Sequence, residues 1–517
     1  MRIVHVASEF APVAKAGGLG EVLVGLAREL NRCGHPTEVL LPKYRWITPQ
    51  SKTTSFTEIP SITPHHQRNN RSFAQEIEGS LIHFIEMTEP AGHFDHETIY
   101  GYADDAVRFL NFTLACADYL AAQKEPIDIL HLHDWHVAAL APLIRGPLAS
   151  QLPTIHKIIL TIHNLEYQGQ CSPQELETAG LPFCSQMQDN RYPEAANLLK
   201  GGILHSDVVT TVSPSYAKEI QQKETGFGLH EELRRVRVKG ILNGIDTHRW
   251  DPSNDSHLAE TYHKDSSSEK IIHAKLAQKK TLQKKFNISS AHRPWIGVVT
   301  RLVPQKGTEL LKAALRETVK LGGNFILLGA SPISSIQEEF AELKEQYGDC
   351  DQVFLEYSYD EMLAHQIYAA CDFLIVPSLF EPCGLSQMIA LRYGTLPIVR
   401  STGGLKDTVF DYENPVIPAA QRNGIVFHSF SIEAAQEAVR RAIALWKDEN
   451  TFQWLIRHGM QQEFGWRKPG SRYLGMYERA LTPDAELPKD IPLPSRLNKK
   501  RPAALAKRSF VEEILPK

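Results

Sequence analysis

The segment Ser378-Leu-Phe-Glu381-Pro-Cys383-Gly384-Leu385-Ser386-Gln387 follows an apolar run, Phe373 to Pro377, that reads as a buried strand. The order strand, carboxylate, glycine, helix start places Glu381 beside backbone N–H groups, a good place to hold a sugar and its diphosphate. Near the start of the chain, Lys15-Ala-Gly-Gly18-Leu-Gly20 lies between a strand pattern and an amphipathic helix. Its glycines admit a close backbone approach to an anion, and Lys15 adds a full charge. The GxGxxG dinucleotide spacing and the Walker pattern are both absent. The segment reads either as a phosphate loop or as a glycine turn with a solvated lysine. A third loop, Arg301-Leu-Val-Pro-Gln-Lys306-Gly307, carries two cations five residues apart. Such a pair can clamp a diphosphate and neutralise charge on a departing nucleoside diphosphate. Its position at the carboxyl end of a strand favours that role over two surface cations.

His131-Leu-His133-Asp134-Trp135-His136 and Thr161-Ile-His163-Asn164 each end an expected strand. No metal site is expected, because no cysteine or second carboxylate completes a zinc set. His131, alternating with apolar residues, reads as a structural histidine. His163 and Asp134 end neighbouring strands and suit hydrogen bonding to a hydroxylated substrate. Asn243-Gly-Ile-Asp246 is a turn signal. Tyr359, at a helix start, reads either as a platform for a planar base or as packing of the helix on its sheet.

These residues need strands to carry them, and the chain alternates short apolar runs with helical patterns, the signature of α/β parallel sheets. The expected strands of the first half are Ile3–Ala7, Glu38–Leu41, Leu81–Ile85, Ile127–Leu132, Ile158–Ile162 and Val208–Val212. Those of the second half are Trp295–Thr300, Phe325–Leu328, Val353–Leu355, Phe373–Val376 and Leu396–Val399. Ser213-Pro214 marks a helix start, and the polar stretch Ser253–Lys270 reads as a surface loop. Thr402-Gly-Gly404-Leu405 loosely echoes Gly17-Gly18-Leu19, a weak sign of repetition. At 517 residues the chain is too long for one simple core, so two Rossmann-like halves closing on one ligand are expected.

With 42% hydrophobic and 22% charged residues and a formal net charge of −4, the chain offers no broad basic field for nucleic acid. No apolar run reaches the roughly 18–20 residues that span a bilayer, so no membrane partner is expected. Met1 leads straight into a strand pattern, with no signal peptide expected ahead of it. Seven scattered cysteines without a CxxC pair suggest reduced thiols and a cytoplasmic protein.

Taken in order, these motifs resemble the bacterial glycogen synthase and plant starch synthase family, retaining glucosyltransferases of the GT-B fold. The carrying matches are Lys15–Leu19, His133–Trp135, His163-Asn164, Arg301–Gly307, Phe380–Leu385 and, approximately, Arg400–Leu405, within about residues 1–480. Met187–Asn190, Gly240–Asp246 and Arg301–Gly307 look closest to the plant-like starch synthase branch. The resemblance implies two Rossmann-like domains with a cleft between them. It implies an N-terminal domain over 1–245 on the acceptor side and a nucleotide-sugar domain over 246–460. A helical segment over 461–485 would return to the first domain, with a basic, Pro-rich tail over 486–517.

It further implies transfer of glucose from ADP-glucose to the non-reducing end of an α-1,4-glucan, with no cofactor and no metal. Lys15 and the Gly18 backbone would bind donor phosphate, and Arg301 and Lys306 would stabilise the leaving diphosphate. Glu381 would hold glucosyl hydroxyls, with His163 and Asp134 orienting the sugar. Tyr359 would stack on the base. Cys383, Gly384, Leu385 and Ser386 would line the donor, and Asn164 and Asn243 would orient the sugar or the acceptor. Three positions depart from the family pattern: Glu21 for Asp, Ser386 for Thr, and Ser401 within the arginine-threonine run. The competing readings are a GT-B enzyme using UDP-glucose or a small acceptor, and a catalytically silent glucan-binding scaffold. Nothing in the residues speaks to oligomeric state.

Overall fold

Apolar runs without alternation, such as Ile3–Val6 and Phe373–Val376, are buried at every position, as strands covered on both faces must be. The computed structural model describes residues 1–49, 56–62, 70–88, 92–288, 290–358 and 360–482. Tyr359 and the basic tail lie outside the described residues. The chain divides into two compact units. Unit 1 takes Met1–Thr211, Glu219–Lys239 and the chain from Gly470; unit 2 takes Val212–Lys218 and Gly240–Pro469.

Unit 1 is built on parallel strands Ile3–Val6, Thr37–Pro42, Ser80–Met87, Ile127–His133, Ile155–Ile162 and Val208–Thr211. Unit 2 has Trp295–Val299, Asn324–Leu328, Val353–Glu356, Phe373–Val376, Leu396–Arg400 and Ile425–Phe427, also parallel. Numbered along the chain, the parallel strands of each unit run 3-2-1-4-5-6 across the sheet, the doubly wound order. In both, the order reverses between strands one and four, so the loops after those strands diverge and leave a crevice at their carboxyl ends. In unit 2 the two-residue period of a strand sends Phe325 and Leu327 into one core and Ile326 and Leu328 into the other.

The structure adds elements that the apolar runs do not announce. Asn70–Ile77 pairs antiparallel with Ser80–Met87, joined through Glu78 and Gly79, both at positive φ (53° and 74°), as a primed hairpin turn requires. The stretch Ser253–Lys270 is not wholly a loop. Helix Ser268–Phe286 starts inside it, where the Ser267 hydroxyl accepts from Lys270 N–H at 3.3 Å. The glycine echo is not a topological repeat either: Gly17 precedes the helix after strand one of unit 1, whereas Gly403 starts the helix after strand five of unit 2. Among the described residues, no helix is long and apolar enough to cross a membrane.

Candidate active site

Unit 2 places two loops side by side at its switch point, one after Trp295–Val299 and one after Phe373–Val376. The Glu381 carboxylate, only 5% exposed, accepts from Lys306 Nζ at 2.5 Å and from Ser378 Oγ at 2.8 Å. The backbones are stitched together as well. Leu379 N–H donates to Gln305 O at 2.8 Å, Gln305 Nε2 to Phe380 O at 3.1 Å, and Gly404 N–H to Glu381 O at 2.9 Å. Arg400 donates to the carbonyls of Ser378 and Leu379, and Ser213 Oγ donates to Pro382 O at 2.6 Å. The acid is therefore held by its own side chain and backbone and by four fixed neighbours in its loop, Ser378, Leu379, Phe380 and Pro382. Gly307, at φ 70°, ends the cation loop where the Pro377 carbonyl occupies the space of a side chain. Arg301 is exposed at the start of the same loop.

The next turn depends on Gly384 at φ 72°. Gln387 Nε2 folds back to the carbonyls of Cys383 (3.2 Å) and Gly384 (2.9 Å), filling the space beside the glycine. Burial pushes the Cys383 thiol up to about 12, against a backbone N–H of Asn243 that favours the thiolate. A thiol that weakly acidic is no nucleophile at neutral pH. Asn243 is buried and its Oδ1 has no hydrogen-bond partner among the described residues. Leu385 and Ser386 sit partly exposed at the start of helix Ser386–Arg392.

In unit 1 the equivalent loops carry Lys15 and Asp134. Lys15 Nζ meets Glu21 Oε1 at 2.6 Å, so the longer acid reaches the lysine directly. The Ala16 and Gly17 N–H groups, the first donors of the glycine loop, are not open to a ligand. They donate to Glu9 Oε2 at 2.8 and 2.9 Å. Tyr100 OH donates to the other oxygen of Glu9 at 3.0 Å. Gly18 lies exposed, one residue further on. Asp134 has φ 65°, a strained geometry for a residue with a side chain. Its carboxylate accepts from His163 N–H at 3.3 Å. Burial raises Asp134 to about 7, with backbone N–H groups of Asn164, His163 and Trp135 opposing and Glu9 adding to the rise. Asn164 Oδ1 accepts from Glu166 N–H at 3.1 Å, which commits it to a local turn.

His163 Nε2 lies 3.0 Å from His133 Nδ1, and His133 Nε2 lies 3.0 Å from His5 Nδ1. His131 bonds instead to Tyr477 OH (2.7 Å) and Thr161 Oγ1 (2.6 Å). Ring nitrogens of His5, His131 and His133 approach within 4.8 Å of one another, a spacing a metal could use. Both nitrogens of His131 and of His133 are already in hydrogen bonds, which a metal would have to break.

Each unit thus collects its own set: Lys15, Gly18, Asp134, His163 and Asn164 in one; Asn243, Arg301, Lys306, Glu381 and the 383–386 turn in the other. Sequence reasoning missed Glu9, His5, the linking role of His133, and the two side chains that lock the acid loop, Ser378 and Gln387. His5, a polar residue inside the otherwise apolar first strand, was the available signal.

Comparison with known proteins agrees with this fold. Residues 2–235 match the family model "Starch synthase catalytic domain" and residues 279–453 match "Glycosyl transferases group 1". A glycogen synthase of Protochlamydia amoebophila is 42% identical over 494 residues, covering 92% of this chain and 99% of that one. The chain belongs to the glycogen and starch synthase family. Among other members, probable starch synthase 4 of Arabidopsis thaliana is 40% identical across 93% of this chain, which spans 47% of that longer protein. The catalytic domain of Arabidopsis starch synthase IV, solved bound to ADP and acarbose, superposes with a TM-score of 0.88 at 40% identity, covering 93% of this chain and 99% of that one. A sucrose-phosphate synthase from Thermosynechococcus elongatus (TM-score 0.60, 16% identity) shares the fold alone. As a synthase of this family the chain is a glucosyltransferase with the GT-B fold, α/β with two Rossmann-like domains.

Proposed function

We propose that this synthase transfers glucose from ADP-glucose to the 4-hydroxyl at the non-reducing end of an α-1,4-glucan, with retention of anomeric configuration. The observation that carries this reading is Glu381, buried at the unit 2 switch point and held by Lys306 and Ser378. A related starch synthase catalytic domain was solved bound to ADP and acarbose, which supports the donor base and the acceptor class.

In this reading unit 2 takes the nucleotide sugar, and unit 1 supplies the acceptor side and a phosphate loop. Lys15 and the Gly18 backbone bind donor phosphate, and Tyr359 stacks on the base. The turn Cys383–Ser386 lines the donor. Arg301 and Lys306 take up charge as the C1–O bond breaks and its electron pair leaves with the diphosphate. Glu381 holds glucosyl hydroxyls and stabilises the positive charge at C1. His163 and Asp134 orient the sugar, with Asn164 and Asn243 supporting the loops beside it. The acceptor oxygen attacks C1 on the face the diphosphate leaves, and its proton departs with that leaving group. The reading needs no metal and no cofactor, and it places the enzyme in the cytoplasm.

Nucleotide release measured with ADP-glucose and UDP-glucose, each with and without glycogen, tests the reaction. Release from ADP-glucose only when glycogen is present supports it; release that ignores the glucan, or none at all, sinks it. Glu381→Gln should lower turnover about 10²–10³-fold while the thermal unfolding profile stays cooperative. Near-normal turnover in that variant would remove Glu381 from its assigned role.

A further inference from the structure

Three imidazoles stand in file in unit 1: His5, His133 and His163, joined by N···N contacts of 3.0 Å each. Each contact is short enough for one hydrogen bond and needs one proton, with a bare nitrogen opposite. Burial holds all three rings neutral near pH 7: His5 and His163 fall to about 3, and His133 falls well below its ordinary value. Three neutral rings own three ring protons, and the two contacts consume two of them. The third proton must sit at one end of the file, on His5 Nε2 or on His163 Nδ1.

The two ends are not alike. His5 is fully buried and its Nε2 has no hydrogen-bond partner among the described residues. His163 is partly exposed and its Nδ1 faces away from the file. A buried N–H without an acceptor is rarer and costlier than a lone pair without a donor. His131 offers no branch, since Tyr477 and Thr161 take both of its nitrogens.

We propose that the His5–His133–His163 file fixes the tautomer of His163, so that Nδ1 carries the proton and presents a hydrogen-bond donor to the substrate sugar. His5 and His133 are then positioning residues. The proton runs are His5 Nδ1–H to His133 Nε2, and His133 Nδ1–H to His163 Nε2. His163 is thereby committed to the tautomer that free histidine disfavours. The sugar-facing part of this inference rests on the role given to His163 above; the tautomer itself does not.

Heteronuclear NMR of the full chain with isotope-labelled histidine reads the tautomer directly, with His163 signals identified from their loss in His163→Gln. The expected spectrum shows His163 with a protonated Nδ1 and a bare Nε2; the reverse pattern overturns the inference. His5→Phe keeps the blind end apolar, so the folded variant should keep the wild-type His163 pattern. His5→Glu supplies an acceptor at the blind end. It should pull the proton onto His133 Nε2, reverse the file and convert His163 Nδ1 to a bare nitrogen. Turnover should then drop about tenfold, the rate equivalent of one neutral hydrogen bond, with KM for glycogen little changed. A folded His5→Glu variant whose His163 pattern stays as in wild type also overturns the inference. If His5→Glu does not fold, the wild-type and His5→Phe spectra decide. A reversed file with unchanged turnover leaves the tautomer device standing and removes the sugar contact.

Discussion

Asp134 carries three burdens at once: a positive φ, a buried carboxyl, and a second carboxylate, Glu9, whose charge opposes its ionisation. Its folded-state value of about 7 sits above the ordinary carboxylate range. The ionised form is the better acceptor for the His163 and Asn164 N–H groups, so turnover should fall as pH drops through about 7. A pH–rate profile of Asp134→Asn should lack that acid limb and run below wild type on the alkaline side. The stability sign is opposite. A raised folded-state value means stability is fullest at low pH and is lost as pH rises through about 7. Denaturant midpoints should therefore favour Asp134→Asn over wild type more at about pH 8 than at about pH 5. Asp134, His163 and Glu381 were legible in the sequence because each closes an apolar run. Glu9 was not: an acid two residues past a strand looks solvated until the fold turns the glycine loop back onto it.

At the scale of elements, the loops around Glu381 pack closely because glycine lets backbones touch. Gly307 stands at φ 70° against the Pro377 carbonyl, so Gly307→Ala meets both a disfavoured conformation and a collision. It should cost about 2–4 kcal/mol in urea unfolding and should loosen the Lys306–Glu381 pair, lowering turnover further than the stability loss alone. The parallel strands were readable from sequence since burial on both faces leaves unbroken apolar runs. Asn70–Ile77 was not, because Asn-Arg-Ser-Phe-Ala-Gln-Glu-Ile has no such run. Its strand character comes from pairing with Ser80–Met87, a non-local cause. The start of helix Ser268–Phe286 was hidden for a different reason: Ser-Ser-Ser before a mixed Lys-rich helix reads as loop, and only the Ser267 cap marks the boundary.

At the scale of the molecule, neither unit is one continuous piece of chain. Unit 2 depends on Val212–Lys218, through Ser213 on Pro382 and through Ser215, whose N–H and Oγ both donate to Asp407 at 2.7 Å. A fragment of residues 240–469 should unfold at a lower urea concentration than the same fragment with residues 212–218 fused to it. Equal midpoints would show that the short segment is not part of that fold. The two-domain class was evident from length and alternation, and the family resemblance implied a return of the segment after residue 460; the exchange of Val212–Lys218 was not foreseen, since the motifs say nothing about which unit a connecting segment joins.

The contact of Tyr477 with His131 spans 346 positions, and it has a consequence for biosynthesis. A ribosome makes the partner of His131 only after the whole of unit 2 has been translated. Unit 1 therefore cannot complete its sheet covering by the usual N-terminal-first route, and the first-begun half of the enzyme is the last to be finished.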